Sequence, residues 1–127
     1  MVTKAWVEIP DRTYHDAQYI ADKIGCPVEQ VLTFFMQWSK TVIPEFDETP
    51  VEALSDSDVV ALADRMMDST LNQRLSELAE KQREDDLNDA ERDELEALMV
   101  IYDAGQLRKT KALVEAINRG LRERLDA

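Results

Sequence analysis

A chain of 127 residues, 44% hydrophobic and 33% charged, is long enough for one compact domain or two small modules and too apolar to stay disordered. Three Gly and four Pro point to helices, and no apolar run nears the ~20 residues that span a bilayer. A single cysteine, Cys26, excludes an intrachain disulfide and, with no signal-peptide pattern at the start, suits a reducing, cytoplasmic setting.

The net charge of −12 is unevenly spread: residues 1–40 carry −1, residues 41–105 carry −14 and residues 106–127 carry +3. The middle should repel phosphates and suit a basic protein. A solvated acidic surface would look the same.

In chain order, the first element predicted is a strand over residues 2–9, ended by Pro10. Ala5, Val7 and Ile9 alternate with Lys4, Trp6 and Glu8, the period-two pattern of a half-buried strand. A helix follows, with Asp11 or Thr13 as its cap and Tyr14, Ala17, Ile20 (or Ala21) and Ile24 on its apolar face. Gly25 suits a left-handed helix end, and Pro27 suits the first position of a second helix. Val28, Val31, Leu32, Phe35 and Trp38 line that second helix, widened by Phe34 and Met36.

A lone strand leaves both backbone edges unpaired, and about forty residues hold little core. Pairing with a second copy repairs both faults. The expected dimer core is Ala5, Val7, Ile9, Val31, Leu32, Phe35 and Trp38. This strand–helix–helix order over about residues 3–39 resembles the ribbon-helix-helix family of dimeric DNA-binding proteins, which includes many bacterial antitoxins. The resemblance implies an intermolecular β-ribbon and operator DNA as a partner. Lys4, Trp6 and Glu8 would then face bases, with Lys23, Cys26 and Val28 near phosphate.

Residues 41–54 are acidic, hold Pro44 and Pro50, and are predicted to form a linker. A helix is predicted over about 56–68, starting at Ser55 with Asp58, and another over about 71–84. The two could also be one helix with a break near Ser69–Thr70. Asn88 with Glu91 forms a capping box for a long last helix to about Arg122, roughly 50 Å long. Gly105 is a weak point where it could bend. The last two helices should form an antiparallel hairpin. The fold class expected is therefore mainly α: a ribbon-helix-helix-like strand–helix–helix module over 1–40, an acidic linker over 41–54, and a helical region over 55–127 ending in that hairpin.

The stretch Leu54–Leu121, with "RLSELAEKQRE" (Arg74–Glu84) and "LRKTKAL" (Leu107–Leu113) in it, is similar to the C-terminal half of a small, largely uncharacterised helical family common in cyanobacteria. Leu75, Leu78, Leu95, Leu98, Met99, Tyr102 and Arg108 are among the matching positions, while Asp85-Asp86 replaces the family's Gly-Thr turn. The resemblance implies an antitoxin or a partner of a nuclease.

Little points to catalysis. His15 is the only histidine and is expected to be exposed; Cys26 lacks a base at fixed spacing and is expected to pack or cap. No metal ligand set or phosphate loop is apparent, so no cofactor is expected. The function expected is a non-enzymatic, homodimeric, antitoxin-like regulator that binds a toxin or nuclease through Phe46, Met66, Met67, Tyr102, Arg108 and Lys109. The alternative is a structural helical adaptor with no DNA role. The "LRKTK" run would meet acid on its hairpin partner, such as Glu77, or else nucleic acid.

Overall fold

The computed structural model describes residues 2–123. Five helices follow in order: α1 Asp11–Ile24, α2 Val28–Trp38, α3 Asp56–Ala63, α4 Ser69–Arg83 and α5 Asp89–Asn118. Two 3-10 turns, Pro44–Phe46 and Val51–Ala53, lie between α2 and α3. No described helix is long and apolar enough to cross a membrane.

No strand occurs among the described residues, so the ribbon-helix-helix module is absent. Residues 2–10 form an arm without regular structure, exposed at Lys4, Ala5, Trp6, Val7 and Glu8 and half-buried at Ile9. Alternation of side chains is a property of any extended backbone. A strand also needs a hydrogen-bonded mate, and the chain supplies none. With the ribbon go the dimer core built on Ala5, Val7 and Ile9 and the strand-borne base readout by Lys4, Trp6 and Glu8.

The apolar face of α2 also finds its cover within the same chain. Val31, Phe34, Phe35 and Trp38 are buried in the main core, with Leu32 packed partly buried against it. The cover comes from α1 and from α5, which touches every other helix and both 3-10 turns. Leu95, Ala97, Leu98 and Ile101, in the first half of α5, share one core with α1, α2 and α4. Ala112, in its second half, packs in a smaller core with Val51 and Ala63. The main core thus crosses both boundaries, near residues 40 and 54, where the sequence suggested a change of module.

Local chemistry sets the helix ends. Pro10 precedes α1 without a side-chain cap, so neither Asp11 nor Thr13 plays the expected role. Thr13 is buried and its hydroxyl donates to the Thr41 carbonyl. Asp16, fully buried, accepts from the Ile43 amide and from Arg12, each at 3.3 Å. These two contacts pin residues 41–43 onto α1, so this part of the expected linker belongs to the core. Pro27 stands one position outside α2, as its N-cap.

α3 ends at Ala63, and Asp68 stands outside it as the cap of α4. Its carboxylate accepts from the Thr70 and Leu71 amides at 3.0 and 3.2 Å and pairs with Lys40 at 2.6 Å. Residues 65–68 are consequently a loop, where the sequence suggested helix. The α4–α5 turn places Asp85 in the left-handed region, with φ of 56°, and the Asn88–Glu91 capping box forms as expected. α5 runs 30 residues, about 45 Å, unbroken through Gly105.

Several acids in this fold are held below the usual carboxylate range. Lys40 does this for Asp68, Lys81 and the Asn88 amide for Glu91, and Arg122 for Asp64. A lowered folded value adds stability above the unfolded pKa, and that stability is lost as pH falls through the folded value. Urea midpoints should therefore hold between pH 7 and pH 5 and drop steadily below about pH 4. A midpoint unchanged down to pH 3 would contradict these pairings.

Candidate partner-binding cleft

The 65–68 loop and the middle of α5 face each other across a cleft. Ile101, Tyr102, Gly105, Gln106, Arg108 and Lys109 line it from α5, at the three- and four-residue spacings that share a helix face. Arg65, Met66 and Met67 form the opposite wall, with Leu62 of α3 and Pro44 and Glu45 of the first 3-10 turn at its base. Met66 is 79% exposed and Tyr102 38%, so the rim is apolar and wet. The enclosed room is only about 30 Å³, and the surface is otherwise open.

Glu45 divides this cleft from a wider groove on its other side, of about 620 Å³. That groove is lined by His15 and Tyr19 of α1, the 45–52 segment, and Leu107 and Lys111 of α5. Glu45 enters because residue 105 has no side chain: a Cβ there would stand 3.0 Å from Glu45 Cγ. Gly105, taken from sequence as a bend point, instead admits a side chain against an unbroken helix. One carboxylate oxygen, Glu45 Oε2, is buried with no hydrogen-bond partner. Such an oxygen costs free energy until a donor reaches it.

Arg108 frames both cavities. Its guanidinium donates to the Thr49 carbonyl at 2.7 Å and lies 4.0 Å from Asp47. Asp47 is held below the usual carboxylate range by the Thr49 amide and hydroxyl, with Arg108 and Arg12 adding to it. Arg108 therefore fastens the 47–49 segment to α5. It does not meet Glu77, which pairs with Arg74 at 3.4 Å. Farther along α5, Arg119 donates to the Leu54, Val51 and Glu52 carbonyls and to Asp56, fastening the second 3-10 turn.

Five of the six residues expected to bind a partner line this one cleft: Met66, Met67, Tyr102, Arg108 and Lys109. The sixth, Phe46, lies in the neighbouring groove, its ring 4.9 Å from that of Tyr19. The residues expected near DNA phosphate do not form a basic surface. Lys23 lies over the Tyr19 ring, and Val28 is half-buried against the core. Burial pushes the Cys26 thiol up, with the Asp93 and Glu96 carboxylates adding to it, opposite to the effect of a helix start. Those two carboxylates disfavour an anion at the start of α2. His15 is exposed, and no cluster of metal-ligating side chains occurs among the described residues.

Glu45, Gly105 and Arg65 were not singled out as site residues from sequence. Nothing in an acidic, proline-containing stretch distinguishes Glu45 from its neighbours. An unexplained glycine inside a long amphipathic pattern was the only available signal. Comparison with protein-family models, curated proteins and solved structures found no match to this chain.

Proposed function

We propose that this chain is a non-enzymatic helical interaction module that captures an apolar side chain of a basic protein in the cleft between Met66 and Tyr102. The observation that carries this reading is Met66, 79% exposed beside Met67 and Tyr102 on a loop tethered by the Asp68 cap. Methionine adapts to many shapes, and exposed methionines beside an aromatic make a versatile docking surface. The net −14 of residues 41–105 favours a basic partner, such as the toxin or nuclease that the antitoxin resemblance implied. A cytoplasmic location agrees with the free Cys26. The operator role has lost the ribbon that was to carry it, which favours the adaptor reading.

Capture from native cell extract should recover a basic protein with the wild-type chain. With Met66→Asp recovery should fall at least about tenfold, the effect of losing one central contact. Val114→Asp, at a position on α5 outside this cleft and 52% exposed, should capture like the wild type. Equal capture by Met66→Asp and wild type would refute the cleft as the docking site. Both substitutions fall on exposed side chains and should leave thermal stability nearly unchanged.

A further inference from the structure

The wide groove beside the cleft, about 620 Å³, falls within the roughly 300–1,000 Å³ of ligand-holding clefts. Five carboxylates line it, those of Asp16, Glu45, Asp47, Glu48 and Glu52, against two cations, Arg108 and Lys111. Several of these charges are already engaged. Asp16 is buried on Arg12 and the Ile43 amide, while Asp47 and Arg108 are held with Thr49. Glu48 and Glu52 are exposed and take no cation among the described ion pairs. Glu45 lines the groove as well as the cleft, and its buried Oε2 has no donor. The open charge of the groove is therefore acidic.

The segment that walls this groove already shows which cation suits it. Arg108 donates to the Thr49 carbonyl, and Arg119 donates to the Val51, Glu52 and Leu54 carbonyls and to Asp56. Two guanidinium groups of the chain itself thus hold residues 49–56 from the side of α5. A guanidinium is a planar fork that meets carboxylates and carbonyls with two bonds at once and stacks on aromatic rings. Tyr19, 42% exposed, and Leu107, 59% exposed, give the groove an apolar wall against which an arginine stem can lie. Tyr19 also carries Lys23 over its ring at 5.5 Å, so this ring already receives a cation.

We infer that this groove takes an arginine-bearing segment of a basic partner protein. The guanidinium binds the open Glu48 and Glu52 carboxylates, and the stem lies on Tyr19 and Leu107. A second copy of this chain is a poor occupant, because it carries −12 and brings acid to acid. The groove is a surface distinct from the cleft, and its grip on arginine does not need the Met66 site. Exposed ion pairs are weak in salt, so selectivity for arginine over lysine is the mark of the site, not attraction alone.

Fluorescence anisotropy of a labelled peptide of alternating arginine and glycine, titrated with the full chain at about 150 mM salt, tests this. It should bind at least about tenfold tighter than the lysine–glycine peptide of equal length. Glu48→Gln combined with Glu52→Gln should weaken it about tenfold or more. Glu84→Gln combined with Asp86→Asn removes the same charge from the exposed α4–α5 turn, outside the groove, and should change it by less than about twofold. Met66→Ala should leave it unchanged, which separates this groove from the cleft. Equal affinity for the two peptides, or equal loss in the two charge-matched variants, would mean attraction to net charge only and would overturn the inference. So would no binding at millimolar chain. Binding that appears only once Lys4 and Trp6 are both replaced by Ala would mean that the chain's own arm fills the groove, which also overturns it. A loss with Met66→Ala but not with the Glu48 and Glu52 variant would place the peptide in the cleft. The inference then falls while the cleft reading stands.

Discussion

Trp38→Ala is expected to destabilise a single subunit by about 3–5 kcal/mol, the range for removing a large buried aromatic. Trp38 is 4% exposed, stacks on Phe34 at 5.7 Å, and packs in the core shared by α1, α2, α4 and α5. Its loss leaves a cavity and also removes the donor that Glu94 accepts at 2.7 Å. Trp38→Phe separates the two effects. It keeps most of the packing and drops the indole N–H, and should cost about 1–3 kcal/mol. The melting temperature of either variant, measured against wild type, should fall by the same amount at low and high protein concentration. A residue at the centre of a subunit interface would behave differently, with a loss that grows on dilution. A concentration-dependent loss would therefore return Trp38 to the interface first expected of it.

Arg74→Ala is the second large effect. Glu94 is 5% exposed and is held by Arg74 through two bonds, at 2.8 and 3.1 Å, besides the indole. The Glu94 carboxylate raises the Arg74 guanidinium above its usual range, and Glu77 adds to this. Removing the cation leaves a buried carboxylate with one neutral donor. A fully buried pair broken this way costs about 3–5 kcal/mol. The Arg74 side chain is 35% exposed, so water screens part of the pair, and about 2–3 kcal/mol is the expected loss. Adding Glu94→Gln to Arg74→Ala should recover about 1 kcal/mol or more, because a neutral amide still accepts from Trp38 and strands no charge. Denaturant unfolding of the single and double variants measures this directly. A double variant less stable than Arg74→Ala alone would mean that Glu94 acts through its shape and not its charge.

Much of the helical layout was legible from local signals. The Gly25 turn, the start of α2 after Pro27 and the Asn88–Glu91 capping box depend on residues within one turn of each other, and all appear in the structure. Where local signals misled, a distant group had intervened. Thr13 matches a capping residue by spacing, yet its hydroxyl turns to Thr41. The 56–68 pattern reads as one helix, yet Lys40 and the α4 amides hold Asp68 outside it. Arg108 sits in the densest basic run, yet its guanidinium is committed to the 47–49 segment.

The sequence by itself determined a mainly helical chain, the approximate position of the helices, and the uneven spread of charge along it. These follow from periodicity, capping and composition, which act over a few residues or by simple summation. Only the tertiary structure decided what covers α2, how the arm lies, and which side chains share a cleft. α5 begins more than fifty residues after α2, and the choice between covering it and leaving it for a second copy turns on packing that no local pattern encodes. The cleft has the same origin: Glu45 and Gly105 are sixty residues apart in the chain and meet only because the first 3-10 turn is folded against α5.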